Sequence, residues 1–342
     1  MVSVLAEDRA GLFAKIREDY DLLSGDVSKL KVKTRVYKLL NGEEDILVEQ
    51  VGDGSIIKRF DKTPYPVKDS DVVCPHFLEL KWAYGCPYSC AWCFLQGTLR
   101  FTGKQPRVKP YEKIYQHLLA FFTFKTSPEL LNSGELADSL MFEHSYKPFS
   151  KFIISMFQAQ DKHKILFLTK SDYVKNMLEI EEHSQAVASF SLNALKVAEK
   201  WEKAPPVKNR LNAAEKLSKA GYEVRVRIDP MVPVEDWETE YKQLADLIFN
   251  KLTPSRITLG SLRGLQTTIN NAADKSWVKY LSATSNWGKK INDNLREKIY
   301  SKIINHLEAE YNYTNIALCK ETRKTWENLG LNYKKIKCNC TL

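Results

Sequence analysis

The middle of the chain carries two alternating patterns of apolar and polar positions. Apolar runs and alternation with a period of two predict strands at 76–85, 128–139, 164–171, 186–193, 222–233 and 255–264. Between these runs, apolar positions at helical spacing predict helices at 108–125, 147–162, 207–222 and 237–252. Gly221 lies just past the last turn of the third helix, where glycine commonly ends a helix.

Strands that alternate with helices are typical of parallel βαβ units. Six strands in one continuous stretch suit a partial barrel better than a flat sheet, so we predict an α/β fold with a partial (β/α)6 TIM-like barrel. In such barrels the chemistry lies at the C-terminal ends of the strands. Polar residues recur at these ends: Cys86, Glu135, Lys170, Asn193, Asp229 and Arg263.

The segments on either side of the barrel pattern read as extensions. Residues 29–40 alternate partly like a strand, and residues 42–60 have the pattern of a hairpin. Residues 62–71 contain two prolines and several polar residues, which favours a linker. We therefore divide the chain into an N-terminal extension (1–70), a barrel (71–265) and a C-terminal helical region with a cysteine-containing tail (266–342).

Composition narrows the functional classes only slightly. The 342 residues are 44% hydrophobic and 27% charged, which excludes a disordered chain, a collagen-like fibre and a disulfide-stapled miniprotein. Lys and Arg number 51 against 42 Asp and Glu, for a net charge of +9. This balance permits a phosphate-rich partner such as DNA but does not require one.

The seven cysteines do not suit a secreted disulfide framework, because their number is odd and three of them share one short loop. The N-terminal sequence MVSVLAEDRAGLF lacks the basic region and long apolar core of a secretory signal. Nowhere does an apolar run approach the ~18 residues of a membrane span. We expect a cytoplasmic protein with reduced thiols and no membrane partner.

The central motif is Cys86-Pro-Tyr-Ser-Cys90-Ala-Trp-Cys93, which directly follows the first barrel strand. Three thiolates on one loop converge on a single metal site, and this number fits a [4Fe–4S] cluster with one iron left open. A structural zinc site is the alternative, but it needs a fourth ligand, usually from a second knuckle, and none is near in sequence. Three buried free cysteines would be the third interpretation.

The spacing C-x3-C-x2-C, the aromatic Trp92 and the position after the first strand resemble the radical S-adenosylmethionine (SAM) superfamily. Within it, the stretch Cys93-Phe-Leu-Gln-Gly-Thr is similar to the C-Y-L-Q-x-T of spore photoproduct lyases. Phe-Leu-Thr-Lys170 matches their F-x-T-K, Phe190-Ser-Leu-Asn193 their F-S-x-N, and the helix A-x-K-x-x-K-A-G-Y ending at Tyr222 also fits. The resemblance covers roughly 77–262.

The resemblance implies a cofactor set and a reaction. Cys86, Cys90 and Cys93 would hold a [4Fe–4S] cluster, whose open iron takes the amino and carboxylate groups of SAM. One electron, from a partner such as flavodoxin or ferredoxin, would split SAM into methionine and a 5′-deoxyadenosyl radical that abstracts hydrogen from substrate. The protein would orient and shield this chemistry.

The same resemblance assigns roles to single residues. Lys170 would meet the SAM carboxylate, and Ser191 or Asn193 would lie near the ribose or the methionyl end. Ser133-Gly134-Glu135 is similar to the G-G-E motif, so Gly134 would approach the cofactor and Glu135 would accept its amino group. The alternatives are a solvated strand-end lysine, a helix first-turn carboxylate, and strand residues that only support loops.

Three charged residues follow the fifth and sixth strands. We regard Asp229 and Arg263 as candidate catalytic residues and Arg227 as a candidate cofactor-binding residue. The alternative for Arg227 and Asp229 is an internal ion pair beneath the site. Asp229 precedes a proline, which favours an extended backbone whatever its role.

The chain departs from the lyase pattern at the step that returns hydrogen to the product. Spore photoproduct lyases use a barrel cysteine, whereas this chain has none between Cys93 and Cys319. Their flanking tyrosines correspond to Trp92 and Phe94 here, which have no phenolic O–H. We therefore expect a hydrogen abstraction on a DNA photolesion or another nucleobase, with a small molecule or peptide as the alternative substrate.

Four cysteines lie outside the motif: Cys74, Cys319, Cys338 and Cys340. Four thiolates would hold a second, closed Fe–S cluster or a zinc ion. The alternatives are thiols without metal, or a tail cysteine that replaces the missing hydrogen donor. In that last case Cys338 or Cys340 would fold back to the barrel.

A basic run follows the cluster loop in TLRFTGKQPRVK and includes Arg100, Lys104, Arg107 and Lys109. It would bind phosphates beside the barrel mouth, or form a solvated loop. A third functional class, besides the two enzymatic ones, is a zinc-bearing nucleic-acid-binding module.

Overall fold

A computed structural model describes residues 2–23, 27–101 and 105–342 of the chain. Lys104 of the basic run lies outside the described residues. Strands and helices alternate through most of the described chain, and short strands join them at both ends. Among the described residues, no helix is both long and apolar enough to cross a membrane.

The strands vary from two to nine residues in length. In chain order they are β1 Val32–Lys38, β2 Glu44–Val51, β3 Ile57–Arg59, β4 Val72–Val73, β5 Leu78–Leu80, β6 Ala83–Tyr84, β7 Arg107–Val108, β8 Leu130–Asn132, β9 Lys164–Thr169, β10 Ala186–Leu192, β11 Glu223–Met231, β12 Ile257–Ser261, β13 Arg263–Gly264, β14 Ala283–Ser285, β15 Gly288–Lys290, β16 Ile316–Leu318 and β17 Glu321–Thr322.

The helices pack mainly outside the sheet. In chain order they are α1 Val2–Asp19, α2 Leu95–Thr98, α3 Tyr111–Thr123, α4 Phe149–Gln158, α5 Lys175–Leu178, α6 Leu195–Trp201, α7 Val207–Lys219, α8 Trp237–Phe249, α9 Gln266–Asn271, α10 Asp293–Tyr311 and α11 Arg323–Asn328, with 3-10 turns at Val27–Lys29, Val278–Tyr280 and Tyr333–Lys335.

Ten strands of the described chain form one sheet in the order β1-β2-β3-β5-β8-β9-β10-β11-β12-β16. Every neighbouring pair from β5 to β16 is parallel. The pairs from β1 to β5 are antiparallel. The parallel part is a partial TIM-like barrel, since its first strand, β5, pairs with β3 and β8 and does not pair with its last strand, β16. The α/β fold class predicted from the sequence is thus confirmed.

The six predicted barrel strands correspond to β5, β8, β9, β10, β11 and β12. The four predicted helices correspond to α3, α4, α7 and α8. The pattern does not predict the seventh parallel strand, β16, because its three apolar residues stand between the polar stretches 312–315 and 320–322 and belong to no longer apolar or alternating run. β16 pairs with β12 and adds Cys319 to the C-terminal edge of the barrel.

Helices α3, α4 and α7 each bury an apolar face against this sheet. α4, for example, places Phe149, Phe152 and Phe157 in the core with no exposed surface. Apolar burial of this kind stabilises the fold by about 25 cal/mol for each Å² removed from water. The core therefore fixes the barrel from outside, which leaves the strand ends free to carry polar groups.

His163 is a buried titratable group between the starts of β8 and β9. Its ring is 1% exposed, packs against Phe121 at 4.6 Å, and accepts a hydrogen bond from the Glu129 backbone N–H at Nδ1 over 3.2 Å. Burial lowers the pKa of His163 to about 4. Protonation at Nδ1 would replace an acceptor by a donor that faces another N–H.

We expect the free energy of unfolding to fall as the pH drops from about 6.5 to about 4, because the unfolded state then binds a proton that the folded state excludes. The loss attributable to His163 is about 3 kcal/mol. His163→Asn keeps a hydrogen-bond acceptor but does not titrate. The free energy of unfolding of this variant, measured with urea at several pH values in this range, should therefore fall less steeply with decreasing pH than that of the wild type. His144→Asn, at an exposed position, is the control and should keep the wild-type pH dependence. Equal slopes in wild type and His163→Asn would contradict the assignment.

Candidate active site

A cavity of about 270 Å³ lies at the C-terminal ends of the parallel strands. Its walls come from the cysteine loop, from the ends of β8 to β12, and from segments outside the predicted barrel. Among the sequence-predicted residues, it brings together the three motif cysteines, Gly134, Glu135, Lys170, Ser191, Arg227, Asp229 and Arg263. The cavity is therefore the place where the candidate chemistry converges.

The loop that carries Cys86, Cys90 and Cys93 is held by its own backbone. Cys93 N–H donates to the Cys90 carbonyl over 3.0 Å. Gln96 Nε2 donates to the same carbonyl over 2.6 Å and to the Ala91 carbonyl over 3.1 Å. These bonds fix the loop before any cofactor binds, so all three thiols line one wall of the cavity.

The three thiols suit a cluster better than a single ion. Burial raises the pKa of all three, that of Cys93 to about 12, so the free thiols stay protonated, and a bound metal would supply the compensation that thiolates need. In the described part of the chain, no group of three or more His, Cys, Asp or Glu has the geometry to hold one metal ion. A zinc site at this loop is therefore not supported.

Lys170 directly follows β9 and belongs to a buried cluster of charged side chains. Its Nζ lies 2.8 Å from Glu202 Oε1, and Arg210 Nη1 lies 2.7 Å from Glu202 Oε2. Burial disfavours the charge on Lys170, but Glu202 and Cys90 outweigh it and raise its pKa. Burial likewise opposes the charge on Glu202, yet its two cations lower the pKa of that carboxyl. Lys170 is thus a fixed cation on the cavity wall rather than a solvated lysine.

Gly134 and Glu135 lie just past the end of β8. A Cβ on Gly134 would come within 2.5 Å of the Leu168 carbonyl oxygen, so only glycine permits this close approach of the two strands. The Gly134 N–H donates to Asn132 Oδ1 over 2.8 Å. Glu135 lines the cavity 3.7 Å from Lys320 Nζ, and it lies outside any helix, which removes the alternative of a first-turn carboxylate.

Ser191 and Asn193 separate in the structure. Ser191 lines the cavity from β10. Asn193 has no exposed surface; its Nδ2 donates to the Pro230 carbonyl over 2.9 Å, and its Oδ1 accepts from Tyr241 Oη over 2.9 Å. Of the two residues that the resemblance offers for the ribose or methionyl end of SAM, Ser191 is among the described residues that line the cavity. Asn193 follows β10, and its amide joins the neighbouring loop.

Asp229 is held between two guanidinium groups. Arg227 Nη2 donates to Asp229 Oδ2 over 2.7 Å, while Arg263 Nη1 and Nη2 reach both carboxylate oxygens over 2.9 Å. Burial would raise the pKa of Asp229, but Arg263 and Arg227 hold it far below its usual range. Asp229 therefore stays ionised and does not exchange protons at neutral pH, which limits any part it plays in catalysis to orientation and charge.

This ion triad also depends on a close backbone approach. A Cβ on Gly260 would come within 2.4 Å of Asp229 Oδ1. Arg227 reaches past Asp229 to Cys319, with Nη2 2.8 Å from Sγ. Arg227 is thus committed to protein partners on both sides, which corresponds to the internal ion pair that the sequence left as an alternative.

Several cavity residues escape sequence reasoning because they lie far from the motif in the chain. Phe60 and Lys62 come from the N-terminal segment, and Trp287 and Lys320 from the C-terminal region. Lys320 Nζ lies 4.7 Å from the Phe60 ring centre and 4.5 Å from that of Trp287. In the sequence they are marked only by being aromatic residues or lysines, and these residue types are too common to single them out. Together they form an aromatic and cationic wall of the cavity that also holds the cysteines.

The four other cysteines gather beside the large cavity rather than in it. Cys74, Cys319, Cys338 and Cys340 line a small neighbouring cavity in the described structure. Cys338 and Cys340 are not among the described residues that line the large cavity. The hypothesis of a tail cysteine as hydrogen donor therefore has no support from the geometry.

The basic run lies apart from the cavity in the described structure. Arg107 belongs to β7, which pairs with β6, and Lys109 Nζ lies 4.7 Å from the Tyr84 ring centre. Arg100 Nη1 donates to the Gly97 carbonyl over 2.6 Å. None of these three is among the described lining residues, so a phosphate contact by this loop would lie outside the cavity.

Comparison with known proteins gives a consistent relationship. Residues 76–273 match the family model described as spore photoproduct lyase. The spore photoproduct lyase of Bacillus subtilis (strain 168) is 27% identical over 170 residues, 48% of each chain. That of Geobacillus sp. (strain Y412MC61) is 27% identical over 174 residues, which cover 47% of this chain and 48% of that protein. The chain spans about half the length of the curated relatives it matches.

A similar fold is found in a solved structure, spore photoproduct lyase complexed with dinucleoside spore photoproduct. The TM-score is 0.60 at 18% sequence identity, and the match covers 70% of this chain and 75% of that one. At this identity the likeness establishes the fold alone. It agrees with the partial barrel described above.

We expect Glu202→Gln to destabilise the protein by about 3–5 kcal/mol, because Lys170 and Arg210 would remain buried without a carboxylate. Urea unfolding at pH 7 measures the change. Glu215→Gln is the matched control, since Glu215 pairs with Lys219 and Lys251 at the surface, where ion pairs are screened by water, and should change stability far less. Similar effects of the two substitutions would refute the buried triad as a stabilising unit.

Proposed function

This chain belongs to the spore photoproduct lyase family, and we propose that it is a radical SAM enzyme that abstracts hydrogen from a nucleobase-containing substrate. The observation that carries the proposal is one cavity that is lined both by Cys86, Cys90 and Cys93 and by an aromatic and cationic group of side chains. Both halves of the reaction would meet there. The cysteines would hold the cofactor, and the aromatic and cationic side chains would hold the substrate.

The cofactor side has the donors that a [4Fe–4S] cluster and SAM need. Three cysteines leave one iron of such a cluster open, and the chemistry supplied there is the one-electron cleavage of SAM to methionine and a 5′-deoxyadenosyl radical. Lys170 Nζ has three N–H donors and spends one on Glu202, so it keeps donors for the SAM carboxylate. Glu135 is 3.7 Å from Lys320, too long for a strong bond, and keeps acceptors for the SAM amino group.

The remaining roles follow from position. Gly134 would allow the methionyl group to approach the end of β8 closely, and Ser191 would offer a hydroxyl to the ribose. Trp92 and Phe94 would shield the reactive carbon from water, since both line the cavity beside the cysteines. Asp229 and Arg263 would present fixed charges in the cavity wall.

The substrate side favours a planar ring joined to negative charge. Trp287 is partly exposed and offers a ring on which a base can stack, while the buried Phe60 supports it through an edge contact at 5.9 Å. Lys62 and Lys320 offer cations for a phosphate. One relative of known structure is complexed with dinucleoside spore photoproduct. A base in duplex DNA would have to leave the stack to enter such a cavity.

We propose hydrogen abstraction for this chain but not the return of hydrogen by a barrel cysteine. The thiols on the described cavity wall are those of the three motif cysteines, so hydrogen return by a separate barrel thiol does not extend to this chain. The substrate radical would therefore end in a different way from that in the lyases with a barrel cysteine. A DNA photolesion or another modified nucleobase remains the proposed substrate class.

The direct test is release of 5′-deoxyadenosine by anaerobically reconstituted protein with SAM and dithionite. We expect release by the wild type, none by Cys90→Ala, and a changed yield with ultraviolet-irradiated oligonucleotide but not with the unirradiated one. Unimpaired release by Cys90→Ala would refute the cluster assignment. Equal yields in all wild-type samples would refute the nucleobase substrate and favour a small molecule or peptide.

A second test concerns the cationic wall. Binding of an irradiated oligonucleotide, followed by fluorescence anisotropy, should weaken with salt, and Lys62→Gln should reduce the slope of log K against log salt by about 1. Lys68→Gln is the matched control, because Lys68 is also exposed on the same segment but is not among the described cavity residues. Equal slopes for the two variants would contradict a phosphate contact at Lys62.

A further inference from the structure

The four cysteines outside the motif come from three separate segments and meet in one place. Cys74 follows β4, Cys319 follows β16, and Cys338 and Cys340 lie in the C-terminal tail. β4 pairs antiparallel with β17, which sets Val73 opposite Glu321 and so draws Cys74 towards Cys319. All four line the same small cavity.

Residues 338–342 are held in this place by buried hydrogen bonds. Asn339 is 1% exposed; its Nδ2 donates to Ser189 Oγ over 2.7 Å and to the Val226 carbonyl over 3.0 Å. Its backbone N–H donates to Thr258 Oγ1 over 2.9 Å. These bonds place the two flanking thiols against the inner side of the barrel.

Two arginine side chains donate hydrogen bonds to backbone carbonyls of the same tail. Arg225 Nη1 donates to the Asn339 carbonyl over 2.9 Å, and Arg256 Nη1 donates to the Cys338 carbonyl over 2.9 Å. The tail thus has defined partners on β10, β11 and β12, and on Arg256 directly before β12. A segment fixed in this way presents its cysteines in one geometry.

Cationic and N–H groups lie close to two of the four sulfurs. Arg227 Nη2 lies 2.8 Å and Arg263 Nη2 3.6 Å from Cys319 Sγ. Lys320 also lines the small cavity, and Asn132 Nδ2 lies 3.8 Å from Cys340 Sγ. N–H groups that point at cysteine sulfurs are a feature of Fe–S sites, where they offset the negative charge of the cluster.

We propose that Cys74, Cys319, Cys338 and Cys340 are the ligands of a second, closed iron–sulfur cluster. A closed site has a protein ligand on every iron, so it exchanges electrons without binding SAM. A single zinc ion is disfavoured, since no group of three or more His, Cys, Asp or Glu in the described chain has the geometry for one metal ion. A cluster sets its ligands farther apart than one ion does.

The position of this site gives it access to the proposed radical chemistry. Glu135, Arg227 and Lys320 line both cavities, so a single layer of side chains separates them. The second cluster would pass single electrons between a low-potential donor protein and the large cavity. The existence of the site does not rest on the proposed function, because its four ligands are distinct from the motif cysteines.

The test removes one set of ligands at a time and counts iron. After anaerobic reconstitution with iron and sulfide, the wild type should hold about eight irons per chain, and Cys86→Ala/Cys90→Ala/Cys93→Ala should keep about four, with the electron paramagnetic resonance signal of a reduced cluster. Cys338→Ser/Cys340→Ser is the matched variant and should also keep about four, with a different signal. Circular dichroism reports whether each variant is folded.

Two results would overturn the second cluster. One is a wild type with about four irons, all of which the Cys338→Ser/Cys340→Ser variant retains. The other is zinc instead of iron in the motif variant, measured by elemental analysis. Failure of the proposed function has a different signature, namely a wild type that holds both clusters but releases no 5′-deoxyadenosine.

Discussion

The recurring interaction in this structure is a buried carboxylate held between two cations. Glu202 lies between Lys170 and Arg210, and Asp229 lies between Arg227 and Arg263. Glu321 has the same arrangement with Lys290 and Arg296, all with side chains 1% exposed or less. An unpaired buried ion costs several kcal/mol, so each triad is stable only as a unit. The strand ends that surround the cavities are fixed by these units.

Each triad has two cations and one carboxylate and so carries one net positive charge. The Asp229 triad lines the large cavity, and the Glu202 triad reaches it through Lys170. The proposed ligands there are thiolates and the carboxylate of SAM, whose negative charge these cations would offset. Cys319 also lies within reach of Arg227 and Arg263.

The sequence allows the fold and the cysteine motif to be predicted, but not the residues from distant segments that complete the cavity. Six strands and four helices are visible because each lies within a longer apolar or periodic run, whereas the three apolar residues of β16 stand between polar ones. Cys86, Cys90 and Cys93 are visible because one loop holds all three. Glu202 and Lys320 are not, since each meets its partners through contacts distant in sequence. For Ser191 and Asn193, a period of two fixes a shared strand face but not the direction of a side chain past the strand end, where Asn193 lies.

The turn at Cys319 and Lys320 links the two cavities. Lys320 has a φ of 48°, in the left-handed region that non-glycine residues enter at a cost of about 1 kcal/mol or more. The conformation is held on both sides: Cys319 N–H donates to the Leu259 carbonyl over 2.7 Å, and the buried Lys290 Nζ donates to the Lys320 carbonyl over 2.8 Å. The turn gives Cys319 to the small cavity and brings the Lys320 ammonium to the wall that both cavities share. A relaxed strand would send successive side chains to opposite faces of the sheet, so the strained turn is what couples the cysteine cluster to the proposed substrate wall.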